Sequence, residues 1–555
     1  MKKLLLLGML ISGSASSLLG ECTSCPQTTC EQSTCNCRAT SQTFFSIRPV
    51  FTINSPEYLA HNRDFYKSIA NGWGGTIQAT VLGGKSTHDD AIARFFLPFC
   101  GNTITVSEQG LPGTDVLANY LNIYTKNGTF ESTVEFKPMH SYIGVGINYQ
   151  QRIYERCGGH GVWISISGPL LRVHNHIKLV ETIQNDGGGP LNSPAVTPVV
   201  PSCPATCPNP CNDTDCTIDP GQALQPVGSV VAAFSQPGWC FGRIDNGGIG
   251  NTCQKNCQKI TRVGDVTIRL GYETVNRDDV HLDSFFGVII PGGNTPKGVN
   301  VFEPIVGHNH HWGFVLGSTF GLEIWQNSCG DMTVSGEFDF SISDFFERKE
   351  RRSFDLKYKP WSRYMQFYVS QAQAQFAADT IISDPQYALI LHTPGIDILT
   401  QDLKVKPGYY RTFNAAFILD TTCYELEVGY NFFARQAECL RLACPFPTGV
   451  ALKAIAVGGG ATAPFQLINN DFGSNCTGSP IADYADNIIT EADLDLESAS
   501  HPATLTHTVY GSLAYQWNGS CNYPMFIAIG GSYEFPPDNV GLNRWMAWGK
   551  FGIAF

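Results

Sequence analysis

From residue 73 to its end the chain alternates apolar and polar side chains with period two, in runs of about ten residues separated by turn-forming or irregular stretches. In the last run Phe555, Ile553 and Phe551 share one face, while Ala554, Gly552 and Lys550 share the other. The first convincing strand is Trp73 to Gly83, with Ile77, Ala79 and Val81 opposite Thr76, Gln78 and Thr80. A hairpin is expected next, in which Phe130, Val134 and Phe136 oppose Glu131, Thr133 and Glu135. Lys137 to His140 turn, and Ile143, Val145, Ile147 and Tyr149 return. Two further strands flank Gly168 and Pro169. Beyond residue 257, Val266, Ile268, Leu270 and Tyr272 oppose Asp265, Arg269 and Glu273. Runs at 281–290, 314–326 and 331–343 follow, the last carrying Glu337 and Asp339 on its polar face. Two short strands flank Pro360, and then come 409–419, 423–433, 505–517 and 525–535. In 423–433, Glu425 and Glu427 oppose Leu426 and Val428.

The connections sort by length. Going back from Phe555, every second one is short (518–524, 420–422, 359–362, 327–330, 274–280, the Gly168 region and 137–140). Those between are mostly long: 434–504, 372–408, 291–313, 183–257 and 84–126. Short turns on one side and long loops on the other are the habit of a membrane β-barrel. The expected fold is therefore all-β, an antiparallel transmembrane barrel of about sixteen strands spanning residues 73–555.

Composition agrees. Charged residues are 15% of the 555, aromatics 12%, and there are 56 glycines; soluble domains carry roughly 25% charge. A net charge of −12 argues against nucleic acid as a partner. Residues 1–20 read as a signal peptide, with Lys2 and Lys3 before the apolar run Leu4 to Ile11. Residues 21–72 read as a periplasmic leader and lead-in; five cysteines (Cys22, Cys25, Cys30, Cys35, Cys37) fall in its first part. No later apolar run reaches the ~18 residues of a membrane helix, so a membrane location requires closed strands.

On the signal peptide, the terminal Phe555 with Phe551 and Ile553, and the loop alternation, the chain resembles bacterial outer-membrane porins. Its 20 cysteines resemble in style the cysteine-rich major outer-membrane proteins of chlamydia-like bacteria. The resemblance implies residence in the outer membrane, recognition of the C-terminal residues by the barrel-assembly machinery, and passive passage of small hydrophilic solutes. It also implies partners in outer-membrane lipid and in homo-oligomers or disulfide-linked envelope proteins.

The cysteines suit disulfides in an oxidising compartment. Cys203, Cys207, Cys211, Cys216, Cys240, Cys253, Cys257, Cys439, Cys444 and Cys476 are candidates in the outer loops, together with Cys100 and Cys157. The spacing from Cys203 to Cys216 does not match a paired zinc site, and no metal or cofactor is expected.

Motifs that suggest chemistry fail on context. GGKST at Gly83 to Thr87 lacks the upstream glycine of a phosphate loop, since Ala79 stands there. His308, His310 and His311 with His174 and His176 have no acidic partner at useful spacing. His507 and Ser512 lie on opposite faces of one strand and cannot form a hydrolytic pair, so no enzymatic activity is expected. The run Glu347 to Arg352 reads as a solvated outer rim.

Candidate pore-lining residues are Glu131, Glu135, Arg269, Glu273, Glu323, Glu337, Asp339, Glu425, Glu427 and Lys550. Acids outnumber bases among inward positions, which implies a weak cation preference unless the charges pair across the lumen. Two other roles fit the pattern. One is a crosslinked structural envelope protein. The other is a hydrophobic-solute transporter whose lumen is plugged by residues 44–72 and 84–100.

Overall fold

The computed structural model describes residues 41–62, 65, 73–98, 101–110, 114–156, 160–192, 225–236, 239–244, 259–277, 279–383, 392–453, 484–485, 487–518, 523–537 and 540–555. The signal region, the five leader cysteines, and Cys100, Cys157, Cys203, Cys207, Cys211, Cys216, Cys253, Cys257, Cys476 and Cys521 lie outside the described residues.

Twelve strands close into an up-and-down barrel in which every strand pairs antiparallel with its neighbours in sequence. They are β1 (Gly75–Thr87), β2 (Glu131–Arg156), β3 (His160–Asn185), β4 (Val266–Arg277), β5 (Val280–Ile290) and β6 (Gly313–Gln326). The circuit continues with β7 (Met332–Phe345), β8 (Tyr410–Thr421), β9 (Tyr424–Arg435), β10 (Thr504–Asn518), β11 (Pro524–Phe535) and β12 (Asn543–Ala554). β12 pairs with β1 from Thr76↔Ala554 to Thr87↔Asn543, which closes the ring.

Twelve strands correct the expected sixteen at three places. No turn lies at 137–140, because β2 runs unbroken for 26 residues. None lies at Gly168 and Pro169, because β3 does the same over 26 residues. Pro138 and Pro169 are paired within the ladder, opposite Ile177 and Gly146. Proline and glycine were turn signals by composition, yet long-range pairing overrides such local preferences. The segments flanking Pro360 belong to no barrel strand; Arg348–Ser353 pairs instead with Thr400–Lys406 in a small outer sheet.

At ~3.4 Å per residue, β2 and β3 are nearly 90 Å long, whereas a tilted membrane strand needs only about ten residues. Their outer halves stand above the bilayer and pack against a cap built from the long connections. The cap core joins Phe96, Leu121, Phe130, Val134, Phe136, Phe234, Trp239, Trp361 and Leu403. The strand Thr103–Ser107 widens the outer part of β2, and Thr400–Lys406 also pairs with Cys439–Leu442.

The outer wall of the barrel is apolar. Ile77, Val81, Ile143, Ile147, Leu270, Phe417, Ile529 and Phe551 are all exposed there. Aromatics ring both edges: Trp73, Tyr272, Trp325, Tyr424 and Tyr515 at the short-turn end, and Trp312, Phe346, Phe535 and Trp545 at the long-loop end. From Trp545 to Phe555 the belt covers about 34 Å of strand, or about 24 Å of height at a 45° tilt, which matches the ~25 Å apolar band of a membrane barrel.

Candidate functional site: the lumen and its plug

The inward face is polar, and the chain's own N-terminal segment fills it. Residues 41–45 thread the cap, where Phe45 joins the apolar core, and residues 46–62 run along the lumen and make one helical turn, Pro56–Leu59. Three non-glycine residues of this segment take left-handed backbone: Phe51 (φ 56°), Asn54 (φ 62°) and His61 (φ 56°). Such conformations are strained and persist where the surroundings fix them. Glu57 fixes the first by accepting from the Phe51 amide, and the Phe51 ring lies against Gly146, where a Cβ would come within 2.3 Å of ring carbon.

Polar contacts along its length tie this plug to the wall. Arg48 lies 3.4 Å from Glu534 and donates to Asn431 at 2.7 Å; Arg544 also pairs with Glu534 and donates to the Arg48 carbonyl at 3.0 Å. Glu534 thus sits between two buried guanidinium groups, with a further 2.7 Å bond from the Thr506 hydroxyl. Lys550 donates to the carbonyls of Tyr58 (3.0 Å) and Ala60, which ties β12 to the plug. His61 lies 2.9 Å from Glu425 through Nδ1 and 2.7 Å from the Ser512 hydroxyl through Nε2. Asn62 accepts from Gln78 at 2.8 Å and Asn148 at 2.9 Å, while Arg269 donates to the Tyr58 hydroxyl. An apolar seam of Val50, Phe51, Leu59, Leu171, Tyr510 and Trp548 fills the rest.

The sequence candidates distribute as follows. Arg269, Glu273, Glu337, Asp339, Glu427 and Lys550 are buried and face inward. Glu425 and Glu323 share that face and are half-buried. The wall charges are engaged: Glu273 with Arg152 at 2.9 Å, Glu337 with His281 at 3.2 Å, and Asp339 with Thr319 at 2.9 Å and Asn414 at 3.2 Å. The counted excess of acids therefore does not amount to open lumen charge.

Glu131 and Glu135 correct the list. They share the outward face of β2 with Ile143 and Val145, and Glu135 pairs with Lys137 at 2.9 Å in partly solvated surroundings. Arg172 and Lys178 likewise face outward, on β3. Above the bilayer the exterior is water and the interior is the cap core, so the apolar face turns inward; Phe130, Val134 and Phe136 are buried there.

Among the cysteines, Cys240 is buried in the cap, Cys439 is half-buried and Cys444 exposed; Cys329 and Cys423 carry free thiols on turns at the short-turn end. The Glu347 to Arg352 run is no solvated rim. Glu350 and Arg352 are buried, with Glu350 2.6 Å from His311 and Arg352 paired to Glu438. His308 pairs with Asp265 at 2.6 Å and His310 with the Gly292 carbonyl at 2.8 Å, so these histidines serve separate structural partners. The acids come from distant strands and loops, which sequence spacing could not show.

His507 bonds the Tyr430 hydroxyl at 2.6 Å on the lipid face, and Ser512 faces in, as strand parity requires. Sequence reasoning missed His61, which reaches Ser512 from the plug. The order Ser512, His61, Glu425 follows a hydrolytic triad, yet Ser512 is buried and donates its hydroxyl proton to the Ile529 carbonyl at 3.0 Å. The ligand atoms of His61, Glu425 and Glu427 lie within 4.8 Å of one another, a spacing compatible with a metal ion. Both ring nitrogens are already in hydrogen bonds, so the set works as a fastening of the plug.

No protein-family model matches the sequence, and no curated protein matches it. Among solved structures the chain is similar to an outer-membrane channel from Pseudomonas putida F1, at 6% identity over 87% of this chain and 96% of that one, with TM-score 0.35. It is similar to the transport unit of the autotransporter AIDA-I from Escherichia coli at 6% identity (86% and 89% covered, TM-score 0.29). A Pseudomonas aeruginosa FadL homologue matches at 8% identity (87% and 89% covered, TM-score 0.24). Likenesses this distant carry no inference about solute or mechanism. Strand closure and the apolar belt with its two aromatic edges make the chain an outer-membrane β-barrel protein.

Proposed function

We propose that the protein is an outer-membrane channel held shut by its own N-terminal segment, which passes small hydrophilic solutes when residues 46–62 leave the lumen. The observation that carries this reading is the Arg48, Glu534, Arg544 cluster: a buried ion group between a non-strand segment and the wall, formed of contacts that water can replace once the plug moves. An open porin would need the space that the plug fills. The wall behind the plug carries Gln78, Asn148, Arg269, Asp339, Asn414 and Asn431, which suits water and polar solutes. Planar-bilayer recording tests it. The full chain gives no stable conductance, and a chain lacking residues 46–62 gives large steps. Equal conductance from both, or none from a folded deletion variant, refutes it.

A second reading is favoured by Cys329 and Cys423. Their turns are neighbours, joined through β7 and β8 in the register Met332↔Thr421. On this reading the thiols on this rim of the barrel crosslink the protein to other envelope proteins. Dimers and larger species on non-reducing gels, lost in Cys329→Ser/Cys423→Ser, support it; their persistence in that variant excludes these thiols.

A further inference from the structure

Just above the apolar belt, on the outward face of β1, β2 and β3, cations collect. Lys85 on β1 pairs across to Ser141 on β2, Ser141 to His174 on β3, and His174 to Lys259 on the short strand Lys259–Val263. One lateral row of four strands therefore carries Lys85, His174 and Lys259. Trp545, exposed on β12, ends the row opposite Lys85 and marks the interface level.

Arg172 lies two residues below His174, opposite the exposed Ile143, so its charge borders hydrocarbon. His176 and Lys178 lie two and four residues above, and the His174 and His176 rings stack at 5.3 Å. Lys178 directly opposes Lys137, a like-charge pair that costs stability unless an anion is present. Lys137 shares its charge with Glu135 at 2.9 Å, while among the described residues Arg172, Lys178 and Lys259 form no ion pair. Burial first, and then the neighbouring His176, Lys259 and Arg172, hold the His174 ring below its ordinary pKa. At ~4.8 Å between strands and ~3.4 Å along them, the patch measures roughly 15 by 20 Å.

We propose that this face binds the phosphate groups of a phosphorylated lipid of the outer leaflet, with acyl chains on Ile143, Val145 and Leu170 and phosphates on Lys85, Arg172, His174, Lys178 and Lys259. The commitment to lipid rests on continuity. The cations begin where the exposed apolar belt ends, so one amphipathic molecule meets both surfaces. The assignment holds whether or not the lumen opens.

Native mass spectrometry of the full-length folded barrel, titrated with a diphosphorylated glycolipid in detergent, tests it. The probes for comparison are the same lipid without phosphates and inorganic phosphate alone. The expected result is saturable binding of the phosphorylated lipid. Lys85→Gln/Arg172→Gln/Lys178→Gln/Lys259→Gln weakens it at least tenfold, and Lys126→Gln/Lys404→Gln leaves it unchanged. All the substituted side chains are exposed, and retained heat-modifiable migration confirms folding. Equal lipid binding by the fourfold variant overturns the site. Equal affinity for the dephosphorylated lipid overturns the phosphate assignment, and inorganic phosphate binding as tightly as the lipid overturns the lipid assignment.

Discussion

Replacing Glu534 with Gln removes the carboxylate that pairs with both Arg48 and Arg544 and changes almost nothing in shape. Both guanidinium groups are buried, and the Arg544 bond to the Arg48 carbonyl keeps them adjacent while the plug is seated. Breaking a buried ion group by deleting one partner costs about 3–5 kcal/mol, because the remaining charges lose compensation without regaining water. Here the seated state bears that cost, since withdrawal of the plug lets water reach Arg48. The open-to-closed ratio should therefore rise by roughly 150- to 5,000-fold. A plug favoured by about 4 kcal/mol is withdrawn ~0.1% of the time; a loss of about 3 kcal/mol raises that to ~15%.

Arg48→Met sets the scale. It leaves Glu534 and Arg544 as a matched pair and forfeits the bond to Asn431 and the packing over the Phe433 ring at 4.7 Å. That loss is about 1.5–3 kcal/mol. Glu534→Gln should thus open the lumen more than Arg48→Met, and the double variant should show less than the sum. Amide hydrogen exchange over residues 46–62 and single-channel current in a bilayer read the same equilibrium. If Glu534→Gln folds, yet neither the exchange of that segment nor the current changes, the ion cluster is not what holds the plug.

Gly146→Leu forces side-chain carbon into the Phe51 ring, so plug exchange and conductance rise, and Phe51→Ala in the same chain reverses most of the effect. Lys550→Met removes both donors to the Tyr58 and Ala60 carbonyls and should speed exchange at residues 58–62 while β12 stays protected. Asp397, half-buried in the cap beneath the Cys240 amide, is pushed up to about 7 by the loss of surrounding water. A carboxyl whose folded pKa exceeds its unfolded value binds protons more readily when folded, so cap stability should fall as pH rises from about 4 to about 7. Asp397→Asn should flatten that dependence by on the order of 2–4 kcal/mol, read as cap-specific exchange at pH 5 and 8. Glu131→Gln/Glu135→Gln, on the outward face, should leave the selectivity of any opened channel unchanged, as reversal potentials in a salt gradient will show.

Within the bilayer the alternation was legible because one face of each strand must meet lipid. Leu270 against Arg269 and Glu273, Phe340 against Asp339, and Phe551 against Lys550 all fall as the sequence pattern requires. The plug was legible only as a stretch of apolar character. Arg48 and Glu534 are 486 residues apart, and His61 and Ser512 are 451 apart, so no spacing rule links them. The cap ion network fails for the same reason: Arg352 finds Glu438 through space, and a charged hexamer that reads as surface has two of its six side chains in the core.

The long strands failed for a different reason, and that failure locates the membrane. A strand that leaves the bilayer keeps its parity while the two media on its sides exchange character, so its apolar face moves from outside to inside. On β1 the outward face changes between Val81 and Lys85, on β2 between Ile143 and Lys137, and on β3 between Leu170 and Arg172. By register Val81, Val145 and Leu170 stand opposite one another, as do Lys85, Ser141 and His174. Three strands read separately thus change polarity at one level, which is the outer surface of the membrane. Applied to the sequence, the same test joins 130–136 and 143–149 into one strand, because both runs keep a single parity across Pro138 and only their polarity inverts.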